Sequence, residues 1–408
     1  MFFGDQASTK LLQLCPRLCA SVVLYSFAPV RMPLMEQITV YAFPVFLLLM
    51  LVEVGYGLAV GRNTYRLSDA LASLSQGVLS QLVASVSMLF QLGLYALTWR
   101  HLAMFPHAAL WATPWGWLLA IVMFDFCDYW LHRVGHESAV FWAAHAVHHQ
   151  SQHFNLSTAL RQESTVAFLG WPFYLPMALA GVPPAQFALA GLIVLLYQFW
   201  IHTEHIGKLG WFDKVFSSPS NHRVHHAVNE QYLDKNYGGM LIIWDRLFGT
   251  FIEEDEAPVY GTRTPLNSWN PLWAVASGYA PLWRLARRAP RWQDKLQVWF
   301  KAPGWLPQGV TDDGPAFDLQ RARQRYDPPL TRAAMAMALL QFVLQAAAAA
   351  AYLWQSDVLS QGWLWSMTLL QVAGLVGLGR LLQGGWAPLR LLGLDLVLLL
   401  LGLAVYYV

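Results

Sequence analysis

The sequence predicts an all-α fold, a polytopic bundle of transmembrane helices with a polar, histidine-rich helical cap. The composition indicates lipid as the surrounding solvent, because 56% of the 408 residues are hydrophobic and only 12% are charged. Soluble domains carry about a quarter charged residues. The formal net charge is only +2, whereas a nucleic-acid-binding surface needs a strongly basic face. Nucleic acid is therefore not an expected partner.

Long apolar stretches predict the membrane helices. A helix needs about 20 mostly apolar residues to cross about 30 Å of hydrocarbon. Six stretches meet this requirement, at residues 40–60, 78–97, 110–130, 333–354, 363–382 and 389–408. A further apolar stretch, 166–200, is interrupted by Pro183 and Pro184, and it predicts two shorter segments that meet at a turn.

The segment from residue 202 to residue 332 is polar, rich in Trp, Pro and mixed charge, and too irregular for spanning helices. Its lysines and arginines predict a cytosolic cap by the positive-inside rule. The chain therefore divides into an N-terminal segment with the first membrane helices (1–109), a core with the cap (110–332) and C-terminal membrane helices (333–408). The first thirty-odd residues lack a good cleavage site, so we do not expect a removed signal peptide; translation from Met35 is an alternative start.

The thirteen histidines are clustered. Eight of them form three short motifs, which are His132-x-x-x-His136, His145-x-x-His148-His149 and His222-x-x-His225-His226. Side chains three or four residues apart share one helix face at about 5–6 Å, so two imidazoles can converge on one ion or on adjacent ions. The extra histidine in the second and third motifs suits a bridge between two metal sites. His202 and His205 form a smaller pair.

The histidine inventory predicts two metal ions. Imidazole suits Zn, Cu, Fe or Ni and is a poor ligand for Mg or Ca. Structural zinc usually takes four ligands, often with Cys, so one zinc would leave half of these histidines idle. The His-Glu-x-x-His motif of zinc proteases is absent, because Ser-Ala-Val follows His136-Glu137. The spacing alone leaves the choice between iron and zinc open.

Several polar residues lie beside the histidine motifs. Asp128 precedes His132 by four residues, and a carboxylate one turn from a ligating histidine can accept its second N–H and fix the tautomer. Ionisable groups at membrane depth are costly and usually functional. Further candidates for hydrogen bonds to the ligands or for substrate contact are Glu137, Asn155, Arg161, Glu163, Glu204 and Asn221. Ordinary loop capping is the alternative interpretation of these residues.

The order of the three motifs, with an apolar hairpin before the third, resembles the integral-membrane fatty acid hydroxylase and sterol desaturase superfamily over residues 110–261. Members are di-iron, O₂-dependent enzymes whose active site lies in a cytosolic cap. The resemblance implies that the eight motif histidines bind iron, that His202 is an additional ligand and that His205 is a further candidate. Zinc can replace iron in preparations.

A narrower resemblance is to the branch of that superfamily that cleaves alkylglycerol ethers. It rests on residues 148–162, 198–204, 236–239 and 243–250 and on the extra apolar helices after residue 332. It implies oxidation of the carbon beside the ether oxygen with O₂ and tetrahydrobiopterin, which yields a fatty aldehyde and a glycerol derivative. The chain departs from the expected pattern at Gln150, Gln152 and His205, so the lipid substrate stays open.

Two alternatives compete with ether cleavage. One is a fatty acid, sterol or carotenoid hydroxylase or desaturase that receives electrons from a protein donor instead of a pterin. The other is a metal-binding membrane transporter, which would bind metal without consuming O₂. In each case the sequence predicts a multi-pass protein of the bacterial inner membrane, or of the endoplasmic reticulum in a eukaryote, with the metal site facing the cytoplasm.

Overall fold

The computed structural model describes residues 33–87, 90–311, 314–356, 359–385 and 397, and for residues 33–40 the backbone only. The segment before residue 33 and nearly all of the predicted span 389–408 lie outside these residues. Residues 1–45 and 46–408 form two compact units; the described part of the first belongs to helix α1, Pro33–Ala59. The division predicted at residues 109 and 332 stays a prediction.

The regular secondary structure of the described residues is helical, which confirms the all-α prediction. After α1 the helices are α2 Leu67–Ser87, α3 Gln91–Leu102, α4 Pro114–Glu137, α5 Ala139–His149, α6 Leu156–Ala159, α7 Val166–Ala180, α8 Pro184–Trp200, α9 Pro219–His225, α10 Ile243–Phe248, α11 Pro271–Arg288, α12 Trp292–Phe300, α13 Leu319–Ala322, α14 Arg332–Gln355 and α15 Gln361–Leu382. Three 3₁₀ turns lie at Ala109–Ala112, Phe212–Lys214 and Glu230–Tyr232. The β-structure within the described ranges is two isolated antiparallel bridges.

Within the described part of the chain, four helices are long and apolar enough to cross a membrane: Tyr41–Ala59 in α1, then α2, α14 and α15. Three of them coincide with the predicted spans 40–60, 333–354 and 363–382. The stretch 166–200 folds as the two shorter apolar helices α7 and α8, as predicted. The turn between them begins at Gly181, whose φ of 99° is a left-handed conformation that favours glycine.

The predicted span 78–97 is wrong. The apolar helix there is α2, which begins eleven residues earlier, and a second helix, α3, begins at Gln91. Ser73 and Gln76 made the start of α2 look too polar for a span, but both side chains are buried. The Ser75 hydroxyl donates to a backbone carbonyl one turn earlier (2.7 Å). Serine hydroxyls that bond back onto their own helix need no water.

Two clusters of buried apolar side chains support the helices. One lies among α2, α14 and α15, and the other surrounds α4, α7 and α8. Helices in lipid associate through close packing at small residues, and Gly374 of α15 is such a point: a Cβ there would lie 2.1 Å from the side chain of Gln345 in α14. The second cluster surrounds the helix that carries the first histidine motif.

Candidate metal centre

The three histidine motifs lie at helix ends that meet. The first occupies the last two turns of α4 and the second the last turns of α5. Only Ser138 separates these helices, and its extended backbone (φ −125°, ψ 129°) turns the chain. α4 and α5 then pack so closely that a Cβ on Gly135 would lie 3.6 Å from the His145 ring. The third motif lies on α9, and His202 follows the end of α8.

Nine histidines form two groups, and in each group the ring nitrogens lie within 4.8 Å of one another. The first group contains His132, His136, His145, His149 and His225, and the second contains His148, His202, His222 and His226. Eight of the nine side chains are buried. Among the described residues, each group could hold a metal ion.

The two groups adjoin because the second and third motifs contribute to both. In α5, His145 and His149 share a face and belong to the first group, whereas His148 belongs to the second. The rings of His149 and His226, one from each group, stack with their centroids 4.3 Å apart. The arrangement is therefore that of two neighbouring ion positions within one pocket.

The hydrogen bonds of His148 and His202 test whether a cation fits the second group. Each Nδ1 donates to a backbone carbonyl, of Arg161 (3.0 Å) and of Gln198 (2.8 Å). Burial lowers the pKa of His148 to about 4 and that of His202 well below its usual value, so both rings are neutral at pH 7. Their Nε2 lone pairs nevertheless face each other at 3.2 Å, an arrangement that a cation between them stabilises.

The first group repeats this arrangement. The Nδ1 of His132 donates to the Tyr237 carbonyl (2.6 Å), and the Nδ1 of His145 lies 2.5 Å from a Glu163 carboxylate oxygen. The two Nε2 atoms are 3.1 Å apart, and burial, with neighbouring histidines, lowers the pKa of His132 to about 3. Nitrogen ligands about 2.0–2.1 Å from an ion lie about 3 Å apart when they are at right angles. The spacing and the donor type therefore fit iron or zinc.

Two buried carboxylates hold the loop that fixes His132. Asp125 on α4 accepts a hydrogen bond from the backbone N–H of Met240 (2.7 Å). Asp245 on α10 accepts from the backbone N–H of Tyr237 (2.8 Å). Because the loop is held at both ends, the Tyr237 carbonyl is positioned to orient the His132 ring.

The hydrogen bond predicted from His132 to Asp128 is not formed in this structure. The His132 N–H goes to the Tyr237 carbonyl, and the Asp128 carboxylate accepts from the Tyr174 hydroxyl (2.9 Å) instead. The two residues are one turn apart on α4, but Asp128 faces α7. The spacing along the helix correctly predicted that Asp128 and His132 lie close together. It did not predict their hydrogen-bond partners.

Glu137 and Glu204 form ion pairs away from the histidines. Glu137 pairs with Arg133 at 2.9 Å, and its side chain is 45% exposed. Glu204 pairs with Arg62 at 3.0 Å. Neither carboxylate is directed at a ring nitrogen of the two groups in this structure.

The two asparagine candidates, Asn155 and Asn221, hold backbone. Asn155 caps α6 through a capping box and donates its amide to the Thr64 carbonyl (2.9 Å). The Asn221 amide donates to the carbonyls of Asp213 (3.1 Å) and Phe216 (3.3 Å). Both therefore support the loops next to the metal centre.

Arg161 acts on the second group through its backbone. Its carbonyl accepts from His148, while its buried guanidinium donates to the carbonyl of Val147 (2.7 Å) and to the side chain of Gln150 (3.0 Å). Val147 and Gln150 flank the histidine pair at the end of α5. The guanidinium therefore ties the segment after α5 to the end of that helix.

His205 lies outside both groups. Its backbone N–H donates to the Thr203 hydroxyl (3.2 Å), and its ring contacts α1, edge-on to Tyr56 at 5.2 Å and beside Gly57. The chain turns after His202, so the two histidines of the smaller pair point to different neighbours. Only His202 joins a group that could hold metal.

Sequence reasoning missed Glu53. This buried carboxylate on α1 accepts from the Tyr65 hydroxyl (2.5 Å), the Leu156 N–H (2.9 Å) and the Thr203 hydroxyl (2.5 Å). Thr203 directly follows His202, so Glu53 connects a membrane helix to the second group. A single carboxylate inside the apolar run 40–60 was the available signal, since ionisable residues at membrane depth are rarely idle.

A helical membrane bundle with two adjoining histidine groups is the architecture of the membrane hydroxylases that the motif order predicted. The model of the fatty acid hydroxylase family matches residues 117–250. That range contains all nine grouped histidines.

The chain belongs to the alkylglycerol monooxygenase family. It is 37% identical to alkylglycerol monooxygenase of Danio rerio over 368 residues, which is 88% of this chain and 81% of the relative. The same enzyme of Xenopus tropicalis is 37% identical over 313 residues (76% and 68%). The human enzyme is 42% identical over 267 residues, 65% of this chain and 59% of the human protein. No solved structure matches the chain significantly.

Proposed function

We propose that this chain is an O₂-dependent di-iron monooxygenase that oxidises the carbon beside the ether oxygen of an alkylglycerol. The products are a fatty aldehyde and a glycerol derivative, and tetrahydrobiopterin is the reductant. The observation that carries the proposal is the pair of adjoining all-imidazole groups, in each of which two Nε2 atoms face each other at 3.1–3.2 Å. The names of the relatives supply the substrate class.

The nine grouped histidines would hold the two ions, five around the first and four around the second. Bound iron supplies the activation of O₂ for C–H oxidation. Zinc is the metal that would replace iron in preparations. Ligand sets of histidines alone carry no negative charge, which favours binding of anionic ligands at open coordination positions.

The chain's own part is to orient the rings and to exclude water. Backbone carbonyls of Tyr237, Arg161 and Gln198 each accept an Nδ1–H and so aim the opposite nitrogen inward. Such outer partners commonly change metal affinity or activity 10–100-fold when they are removed. Burial lowers the pKa of His132, His148 and His202, which keeps these imidazoles neutral and therefore available as ligands.

The lipid would reach the metal centre from the bilayer. The apolar helices α4, α7 and α8 pack together directly below the first histidine motif. An alkyl tail that enters between membrane helices reaches the site without crossing water. We place the metal centre on the cytoplasmic side, because the cap segment carries most of the basic residues between the helices.

Lipid product analysis tests the function. Purified full-length protein is loaded with iron and given an alkylglycerol, O₂ and tetrahydrobiopterin, and we expect a fatty aldehyde and two non-haem irons per chain. Fatty acids or sterols with a reduced electron-transfer protein serve as the competing substrates and donor. A protein that binds two irons but consumes no O₂ with any lipid and reductant would contradict the oxygenase assignment and favour transport.

A further inference from the structure

Helix α12 turns an apolar stripe outward. Trp292, Leu296 and Phe300 follow one another at four-residue intervals and are 67%, 55% and 68% exposed. The opposite face of the helix buries Asp294 and Val298. A surface helix normally directs its apolar stripe at the protein core, so this outward stripe requires another apolar environment.

Basic side chains accompany the stripe. The exposed ones on α11, α12 and the next residue include Arg284, Arg287, Lys295 and Lys301. Asp294 is the single acidic residue in the sequence between residues 271 and 301, and it already pairs with Arg291 (2.8 Å). An apolar stripe with Trp and Phe beside a surplus of cations is typical of helices that lie in the plane of a membrane interface.

Both ends of the α11–α12 segment are hydrogen-bonded to residues that lie just after the end of another helix. Before α11, the N–H of Trp269 donates to the side chain of Gln383 (3.2 Å), the first residue after α15. After α12, the Lys301 carbonyl accepts from the N–H of Ala139 (2.9 Å), two residues beyond the end of α4. Gln383 directly follows α15, which is long and apolar enough to cross a membrane, so the start of the segment lies near the level of the interface.

The same segment packs against the helix that carries the second histidine motif. A Cβ on Gly278 of α11 would lie 2.6 Å from the carbonyl of Ala143 in α5. The Gln150 side chain, directly after His149, donates to the Ala274 carbonyl of α11 (2.8 Å). The position of α11 is therefore transmitted to α5 by direct contact.

We propose that α11 and α12 form an interfacial anchor that binds anionic phospholipid. Trp292, Leu296 and Phe300 lie at the boundary of headgroups and acyl chains, and the exposed Arg and Lys side chains bind headgroup phosphates. The anchor sets the height of α5, and with it the histidine groups, above the acyl chains. This surface is distinct from the metal centre and does not depend on the reaction that the centre performs.

A depth measurement tests the anchor. The full chain, with Cys15, Cys19 and Cys127 replaced by alanine, receives a nitroxide at Leu296→Cys or, as the matched control, at Gln297→Cys. Collisions with O₂ and with a polar nickel chelate are measured in nanodiscs that hold one copy. We expect the ratio of O₂ to chelate collisions to be several-fold higher at position 296 than at position 297. Equal ratios, or shielding from both reagents by a protein contact, would overturn the proposal.

The charge requirement has its own test. Phosphatidylcholine nanodiscs are compared with nanodiscs that also contain phosphatidylglycerol, and we expect the probe at position 296 to lie deeper when the anionic lipid is present. The triple variant R284Q/R287Q/K295Q should lose this difference, whereas R321Q/R323Q, which removes two exposed arginines of the α13 region, should keep it. A probe depth that ignores the anionic lipid in the unchanged chain would refute charge-dependent anchoring. Metal content, measured on each variant, verifies that the fold is intact.

Discussion

The two histidine groups are built in different ways. Four rings of the first group come from α4 and α5, which a single residue joins, and only His225 comes from elsewhere. The second group draws on three separated segments, with His148 on α5, His202 after α8, and His222 and His226 at α9. Closing long loops costs conformational entropy, so the second group depends more on distant supports. The first ion position is thus formed mainly by two adjacent helices, whereas the second depends on packing between segments that are distant in the sequence.

Removal of one ring from the first group should have the largest effect. We expect His145→Ala to lower lipid oxidation at least about 100-fold and to reduce the bound metal from two ions per chain to one or none, because His145 also contacts His132 and His149. Activity assays with metal analysis measure both effects. His205→Ala is the matched control, since it removes an imidazole outside both groups and should retain two ions. Equal losses in the two variants would remove the distinction between grouped and ungrouped histidines.

Loss of the carboxylate partner of the first group should have an intermediate effect. In Glu163→Ala the His145 Nδ1 loses its acceptor at 2.5 Å, so we expect the affinity of one ion to fall about 10–100-fold while the other ion binds normally. Metal titration of metal-depleted protein separates the two steps. Glu137→Ala, which breaks only an exposed pair with Arg133, should leave both steps unchanged; a matching decrease there would indicate a general loss of structure.

Glu53→Gln tests whether the second group depends on its distant support by Glu53. The amide keeps the shape but replaces one acceptor oxygen by an NH₂ donor, which then lies either against the Thr203 hydroxyl or against the Tyr65 hydroxyl and the Leu156 N–H, so we expect a loss of about 1–3 kcal/mol of stability. The accompanying loss of metal affinity should be confined to the second group. Thermal unfolding and the same two-step titration measure these effects. The exposed pair of Glu204 with Arg62 offers the control, because Glu204→Gln should cost at most about 1 kcal/mol. Weaker binding of the ion in the first group, with normal binding in the second group, would contradict the connection through Thr203.

The sequence was most informative where chemistry follows helical spacing. Pairs such as His145 and His149 lie four residues apart, so their shared face needs no knowledge of the rest of the fold. The acceptors that orient the rings were not predictable, because most are backbone carbonyls, such as that of Tyr237, and any residue type carries one. Asp128 illustrates the same limit: its distance from His132 is set by the helix, but its partner is set by α7. The early start of α2 was missed because buried serines look polar in a sequence.

His148 and His149 are neighbours in the chain and belong to different groups. Consecutive Cα atoms are about 3.8 Å apart, so the single peptide unit between His148 and His149 fixes the distance between the two backbone positions from which the rings reach the two ion positions. A tilt or slip of α5 moves both positions together and preserves their separation. Insertion of one residue before this pair would rotate it by about 100°, so that His148 would take the position of His149 and His149 that of Gln150, and the second ion position would lose its ligand from α5.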